Sequence, residues 1–261
     1  MWKFKEDNTS AVITTKKHIK SYRKNSCFEL PKTAVLFYMH GGVDWLKKHY
    51  KSKLITEHFP CFLNSRPMYK MKNYDIGFLH GGWGAPMAVD TVETLFALGV
   101  ENVVSIGMFG AFSENVNSGD IVIPGKAFSE EGTSLHYYEN REEFYPSKEL
   151  KDMALKHIEN SASFPIVSTD AVYRQTFYKE KLWRDKGAVG VDMETSALFS
   201  ISEYLGMNTV SVLIASDKHP KTENEPDWQW TMTKEMRYDF FEKCIRFAMK
   251  ISFNSASETA L

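Results

Sequence analysis

Short apolar runs alternate along the chain with segments in which apolar residues recur every three or four positions. Residues 34–38, 75–79, 103–106 and 209–214 are short, mainly apolar segments, the pattern of strands covered on both faces. Between them the period changes to that of helices. Pro86 suits the first turn of a helix whose apolar face is Val89, Val92, Leu95 and Phe96, with Gly99 marking its end. Ser147 is a candidate cap for a helix carrying Leu150, Met153, Ala154 and Ile158 on one side. Residues 231–251 read as the last long helix, with Phe240, Cys244, Phe247, Ala248 and Ile251 at helical spacing. Strand and helix in alternation, joined by right-handed crossovers, predict an α/β fold, a three-layer α/β/α sandwich. Neither an internal repeat nor a low-complexity linker interrupts it, so one domain is expected.

Composition narrows the partners. The chain has 261 residues, 43% hydrophobic and 25% charged, enough to bury a sizeable core, and no apolar run approaches the length that spans a bilayer. A net charge of −1 leaves no electrostatic footprint for nucleic acid, and Lys16, Lys17 and Lys20 with Arg23 and Lys24 read as a solvated segment. Cys27, Cys61 and Cys244 are odd in number and lack metal-type spacing, so neither a disulfide framework nor a metal site is expected. Lys3, Lys5, Glu6 and Asp7 replace any apolar leader core, which makes the cytoplasm the expected compartment.

The chemistry concentrates in residues 190–197 and 210–219. A short apolar run leads into Met193 and Glu194, a helical segment from Thr195 ends at Gly206, and a β-branched strand ends on Ser216 and Asp217. Open α/β sheets gather ligands at the carboxyl ends of their strands, where both Glu194 and Asp217 are expected. Carboxylates placed between buried elements are rare unless paired. Asp192 is read as a structural hydrogen-bonding carboxylate directed away from Glu194. Asp217 follows small and apolar residues, and partial burial there would raise its pKa into the range of a proton donor.

These two segments resemble the nucleoside phosphorylase family, in which a Met-Glu pair holds the ribose and a Ser-Asp after the next strand faces the base. Gly119-Asp120-Ile121-Val122-Ile123-Pro124 resembles the family's central strand, and Glu131-Gly132-Thr133-Ser134-Leu135-His136-Tyr137 the loop that follows it in uridine-phosphorylase-like members. His80-Gly81-Gly82-Trp83-Gly84-Ala85-Pro86 and Ser105-Ile106-Gly107-Met108-Phe109-Gly110 stand in for two glycine-rich turns. The resemblance implies a mixed, partly barrel-like central sheet. It also implies a domain over residues 33–252, with an N-terminal extension (1–32) and a C-terminal tail (253–261), in a homo-oligomer, either a dimer or a hexamer built as a trimer of dimers. The implied activity is cleavage of a ribonucleoside's N-glycosidic bond, with inorganic phosphate as co-substrate and no cofactor. Glu194 would bind the ribose hydroxyls and favour a positively charged sugar. Asp217 would protonate a purine, with Arg237 assisting. Met193, Tyr173 as the stacking ring, Thr133, Ser134, Ser216 and Gly84 would line the substrate.

The chain also departs from the family. Phosphorolytic members open the first strand-to-helix turn with Pro-Gly-Asp-Pro and an Arg, and carry another Arg before the glycine of the third strand's turn. Here Tyr38-Met39-His40-Gly41-Gly42-Val43-Asp44 and Ser105 occupy those places. Gly41, Gly42 and Ser105 then remain to bind phosphate, with His40, Gly82 and Gly84 nearby, an arrangement that captures an anion less firmly than bidentate arginine. The expected reaction is phosphorolysis of a purine nucleoside to free base and ribose 1-phosphate. The alternatives are a hydrolytic nucleosidase using Asp44, a uridine phosphorylase drawing on Arg174 and Gln175, and a nucleoside-binding relative without catalysis.

Overall fold

A computed structural model of the protein describes residues 9–22 and 29–258. Cys27, Arg23, Lys24, the start of the N-terminal extension and the last three residues of the tail lie outside the described residues. In chain order the first elements are α1 (Thr15–Tyr22), β1 (Thr33–Phe37), α2 (Gly42–His49), β2 (Ser52–Thr56), β3 (Met68–Met71), β4 (Ile76–His80), α3 (Ala85–Ala97) and β5 (Asn102–Ala111). There follow β6 (Ile121–Val122), β7 (Lys126–Glu130), β8 (Glu143–Phe144), α4 (Lys148–His157), β9 (Ser161–Ala162) and β10 (Pro165–Thr169). The chain closes with α5 (Phe177–Asp185), β11 (Gly190–Asp192), α6 (Thr195–Leu205), β12 (Asn208–Lys218), β13 (Gln229–Trp230) and α7 (Lys234–Glu258). No helix among the described residues is long and apolar enough to cross a membrane.

All strands join one mixed sheet, ordered β2-β3-β4-β1-β5-β11-β10-β7-β8, with β12 on the other edge of β5. β12 pairs in parallel with the full length of β5, from Asn102 to Ala111. On the opposite edge β1 pairs in parallel with residues 102–106, and β11 pairs antiparallel with Gly110 and Ala111. Two sets of strands therefore point toward each other: β4, β1, β5 and β12 in one direction, β11, β10 and β7 in the other. The sheet forks at β5 and does not close into a barrel. The segment likened to a central strand contributes only the short β6, which pairs with β12 and β9.

Helices cover both faces, as strands buried on two sides require. Trp45 and Leu46 of α2, Leu150 and Ala154 of α4, and Phe240, Phe241, Cys244 and Phe247 of α7 pack with Val35, Phe37, Val104 and Val212. Ala88, Val92 and Leu95 of α3 and Ala197, Leu198 and Ile201 of α6 pack on the other face with Ala34, Leu36 and Val103. Ser147 caps α4 by accepting from the Leu150 amide, and Gly206 ends α6 in the left-handed conformation with φ of 73°. Phe96 departs from the expected apolar face. It follows Leu95 by about 100° of helical rotation and is 41% exposed. Within the N-terminal extension α1 packs against α3, and α7 continues past the expected domain end.

Where β11 crosses β5 the backbones come close. A Cβ on Gly190 would lie 2.2 Å from the Phe109 ring and 2.6 Å from the Gly110 carbonyl oxygen. Gly190→Ala is expected to lower the unfolding free energy by about 1–3 kcal/mol, as overpacking does, in a denaturant titration. A midpoint unchanged from wild type would mean that the two strands have room to separate.

Candidate active site

β1 and β11 approach end to end along one edge of β5, and their facing ends are both carboxyl ends. Between them Gly107, Met108 and Phe109 leave about 10 Å of β5 without a strand partner on that edge. Glu194 sits at this opening, just after β11 and at the start of α6, and is buried. Its Oε1 accepts from the Gly84 amide at 2.7 Å, for which Gly84 adopts φ of 77°. Burial, and then the neighbouring Asp192 carboxylate, push the Glu194 pKa upward. Met193 lies half-buried beside it.

Asp192 faces away, into a closed network. It accepts from Ser168 Oγ at 2.5 Å, from Thr195 Oγ1 at 2.5 Å and from the Thr195 amide at 3.1 Å, and the first turn of α6 is tied to β10 and β11. Burial raises its pKa and these donors oppose the rise. The Tyr38 hydroxyl is buried without a hydrogen-bond partner at the end of β1. Burial and then the Glu194 charge hold that phenol well above its usual range.

Asp217 stands opposite Gly110 on β12, as Val191 does on β11, so the strands bearing the two acidic positions are both neighbours of β5. Its surroundings differ from the expected proton donor. Trp228 Nε1 donates to Oδ2 at 2.6 Å, His219 Nε2 lies 3.1 Å from the same oxygen, and Ser216 Oγ donates to Oδ1. Burial alone would raise the Asp217 pKa, but the hydrogen bonds from His219, Ser216 and Trp228 outweigh it and hold the carboxyl below its ordinary value. Asp217 is thus an ionised acceptor at neutral pH. The His219 Nδ1 is 2.6 Å from Glu180 Oε1, and Arg184 stands 3.7 Å from the other Glu180 oxygen. Burial opposes the charge on His219, yet the two carboxylates raise its pKa to about 9.

Arg237 does not join this cluster. Its Nη1 donates to the His40 carbonyl at 3.3 Å, while its buried Nε has no partner. That places a guanidinium at the Gly41–Gly42 turn. A cavity of about 290 Å³ opens there, lined by His40, Gly41, Gly42, Arg66, Tyr69 and His80 among others. The Arg66 guanidinium has no hydrogen bond or ion pair among the described residues. Burial, then Arg66 and His40, lower the His80 pKa to about 4, so its ring is neutral at pH 7 and its Nδ1 accepts from the Gly82 amide. Trp83 spans His40 and His80, with ring centroids 5.0 and 4.6 Å away. Ser105 is excluded from this anion site. It lies inside β5 between Leu36 and Ser211, 1% exposed and short of the strand's carboxyl end.

The loop after β7 is held by a carboxylate that sequence reasoning did not single out. Buried Glu131 accepts from the Thr133 and Ser134 amides and from the hydroxyls of Ser129, Ser134 and Ser196. Ser134 also meets Ser200, so its hydroxyl is occupied within the protein, and Thr133 remains half-buried at the surface of the loop. Tyr173, the expected stacking ring, is 95% exposed in a short 3-10 turn, away from the packed site. Trp228 is the ring that lies beside Asp217, carried there by the pairing of β13 with Asp217 and Lys218. One missed residue left a signal: His219 follows Asp217 by two positions at the end of a strand, which puts both on one face. Glu180, Arg66 and Trp228 left none, since each arrives from a separate element.

Comparison with known proteins bears on the family and the fold. A family model described as Phosphorylase superfamily matches residues 33–246. The DeoD-type purine nucleoside phosphorylase of Clostridium beijerinckii is 28% identical over 182 residues, 64% of this chain and 76% of that protein. The purine nucleoside phosphorylase of Toxoplasma gondii, solved in complex with immucillin-H, superposes with a TM-score of 0.73 at 16% identity, covering 86% of this chain and 92% of that one. AMP nucleosidase from Bacteroides thetaiotaomicron superposes with a TM-score of 0.71 at 19% identity, covering 93% and 97%. At these identities the two structures speak for the fold.

The paired histidine sets a pH dependence of stability. The folded-state pKa of His219, about 9, lies above its ordinary 6.5. Its contribution is therefore complete below pH 6.5 and is lost as pH rises through 9, about 3 kcal/mol in all at 1.36 kcal/mol per pH unit. Unfolding free energies measured across this window should fall in the wild type and stay flatter in His219→Gln. Parallel curves for the two proteins would contradict the charged imidazole.

Proposed function

The chain belongs to the phosphorylase superfamily, and from that premise we propose that it cleaves the N-glycosidic bond of purine ribonucleosides with inorganic phosphate as acceptor. The products are the free base and ribose 1-phosphate. The observation that carries this reading is the buried Glu194, held by the Gly84 amide at the opening between β1 and β11. Breaking the bond leaves positive charge on the sugar and negative charge on the base. A carboxylate with one oxygen anchored to backbone can receive the ribose hydroxyls on the other and favours the charged sugar over its neutral ground state.

Asp217 faces the base from the next strand but one. It is a fixed acceptor, and a hydrogen bond from a protonated purine ring nitrogen to it stabilises the base in its neutral, protonated form as it leaves. The half-exposed Trp228 ring beside it supplies an apolar face for the base. The acceptor enters at the Gly41–Gly42 turn. The arginines that phosphorolytic relatives carry within the glycine turns are absent from those positions, but Arg66 lines the cavity at this turn and Arg237 reaches the His40 carbonyl beside it. Two guanidinium groups beside backbone N–H groups support phosphate as the acceptor. Hydrolysis is the second reading, since Asp44 lines the same cavity as an exposed carboxylate that could activate water.

Product analysis separates the two. Adenosine, inosine and guanosine incubated with phosphate should yield base and ribose 1-phosphate, with only slow ribose formation when phosphate is omitted. Equal rates of base release with and without phosphate would favour hydrolysis, and no release from any nucleoside would overturn glycosidic cleavage. Arg66→Ala should raise the KM for phosphate at least tenfold, about 1.4 kcal/mol, while changing the KM for nucleoside less. An unchanged phosphate KM would remove Arg66 from the acceptor site. Glu194→Gln should lower kcat by more than tenfold with a smaller change in nucleoside affinity, and a loss within about threefold would contradict its role at the charged sugar.

A further inference from the structure

We infer that the proton which neutralises the departing base is stored on His219 and passes through the Asp217 carboxylate, with Glu180 holding the imidazole in position. The inference rests on the glycosidic-cleavage reading and adds a proton source to it. An acid is needed because purines leave poorly as anions, and Asp217 cannot be that acid unaided: it accepts from three donors and rests ionised. The nearest donor able to give up a proton is His219 Nε2, 3.1 Å from Asp217 Oδ2. The other ring nitrogen is 2.6 Å from Glu180 Oε1, so both nitrogens face carboxylates and the ring is held as an imidazolium.

The surroundings are built for this ring. Gly110 lacks the Cβ that would lie 2.3 Å from His219 Nε2, so β5 leaves space for the imidazole against its backbone. The His219 amide donates to the Ala111 carbonyl at 2.7 Å and fixes the backbone there. The side chains of His219, Glu180 and Asp217 are 15%, 7% and 5% exposed, which shields the pairs from solvent screening. The charged groups that face His219 are Glu180 on α5, backed by Arg184 of the same helix, and Asp217 on β12. Lys218 turns the other way and donates to the carbonyls of Ser113 and Val116.

The step balances without any further reactant. As the glycosidic bond breaks, its electron pair stays with the base and the sugar carbon bonds the incoming acceptor oxygen. The Nε2–H bond of His219 breaks and an O–H bond forms on Asp217. That O–H then breaks as an N–H bond forms on the purine ring nitrogen. The site is left with a neutral imidazole, two carboxylates and a neutral free base, and solvent restores the proton to His219. His219 is therefore a positioning residue, since it acts through Asp217.

The test compares leaving groups and pH profiles. In the wild type, kcat/KM for a purine ribonucleoside should fall at high pH as His219 loses its proton. His219→Gln keeps an amide donor but cannot supply a proton. It should lose about a hundredfold on the purine nucleoside, the usual size of general acid catalysis, and the alkaline limb should disappear. Its loss on a nitrophenyl riboside, whose leaving group departs as a stable anion, should be at least tenfold smaller. Glu180→Gln, which removes one of the two charges on the imidazole, should move the alkaline limb to lower pH, and it tests the relay even if His219→Gln folds poorly. Equal losses on the two leaving groups, or an alkaline limb unmoved by both substitutions, would overturn the relay. A wild-type protein that releases base from no nucleoside would instead contradict the glycosidic reading beneath it.

Discussion

The site depends on one strand having two different neighbours along the same edge. β5 gives its first half to β1 and its last two residues to β11, which arrives from the opposite direction. A strand cannot pair with both at once in the middle, so Gly107 to Phe109 stay uncovered and the carboxyl ends of two opposed strand sets face each other across the gap. Open α/β sheets place ligands where strand direction or order changes. Here the change occurs within a single strand edge, and Glu194, the Tyr38 hydroxyl and the glycine turn at Gly82–Gly84 collect around it. The tight crossing of Gly190 over Phe109 and Gly110 keeps the two sets close enough for Glu194 to reach the Gly84 amide.

The same arrangement divides different tasks among buried carboxylates. Glu131 and Asp192 each receive several hydroxyl and amide donors, and they tie the loop after β7 and the start of α6 to the sheet. Among the described residues Glu194 is supported by backbone N–H groups, which leaves acceptor capacity directed at the opening. Asp217 receives side-chain donors from Ser216, Trp228 and His219, the last of them charged. Burial acts on all of them. The number and charge of the donors decides which is structural and which has lone pairs or protons to offer a ligand.

Local signals were legible in the chain. The helix from Thr195 to Leu205, its glycine end, the Ser147 cap and the buried strands follow from spacing and from turn chemistry within a few residues. The Met193-Glu194 and Ser216-Asp217 pairs could be placed at strand ends for the same reason. What depended on strand direction could not be read: β11 runs antiparallel to β5, and nothing within three residues declares that. Contacts between distant segments were equally hidden. Arg237 looked like a partner for Asp217 by position along the last helix, but α7 carries it to the His40 carbonyl. His219 took the place beside Asp217, and Glu180 on α5 had no sequence link to either. Tyr173 was chosen for its ring, and the ring that reached the carboxylate was Trp228, because β13 folds back onto the end of β12.

In the proposed complex a purine nucleoside spans the gap on β5 with its sugar on Glu194, its base on Asp217 and an anion at the glycine turn. A crystal structure with a non-cleavable purine nucleoside analogue and phosphate tests it most directly. The expected result is ribose hydroxyls within hydrogen-bond distance of Glu194, a purine ring nitrogen at Asp217 beside Trp228, and phosphate against Gly41, Gly42, Arg66 and Arg237. An analogue bound elsewhere, or bound in the gap with Glu194 and Asp217 both out of reach, would contradict it.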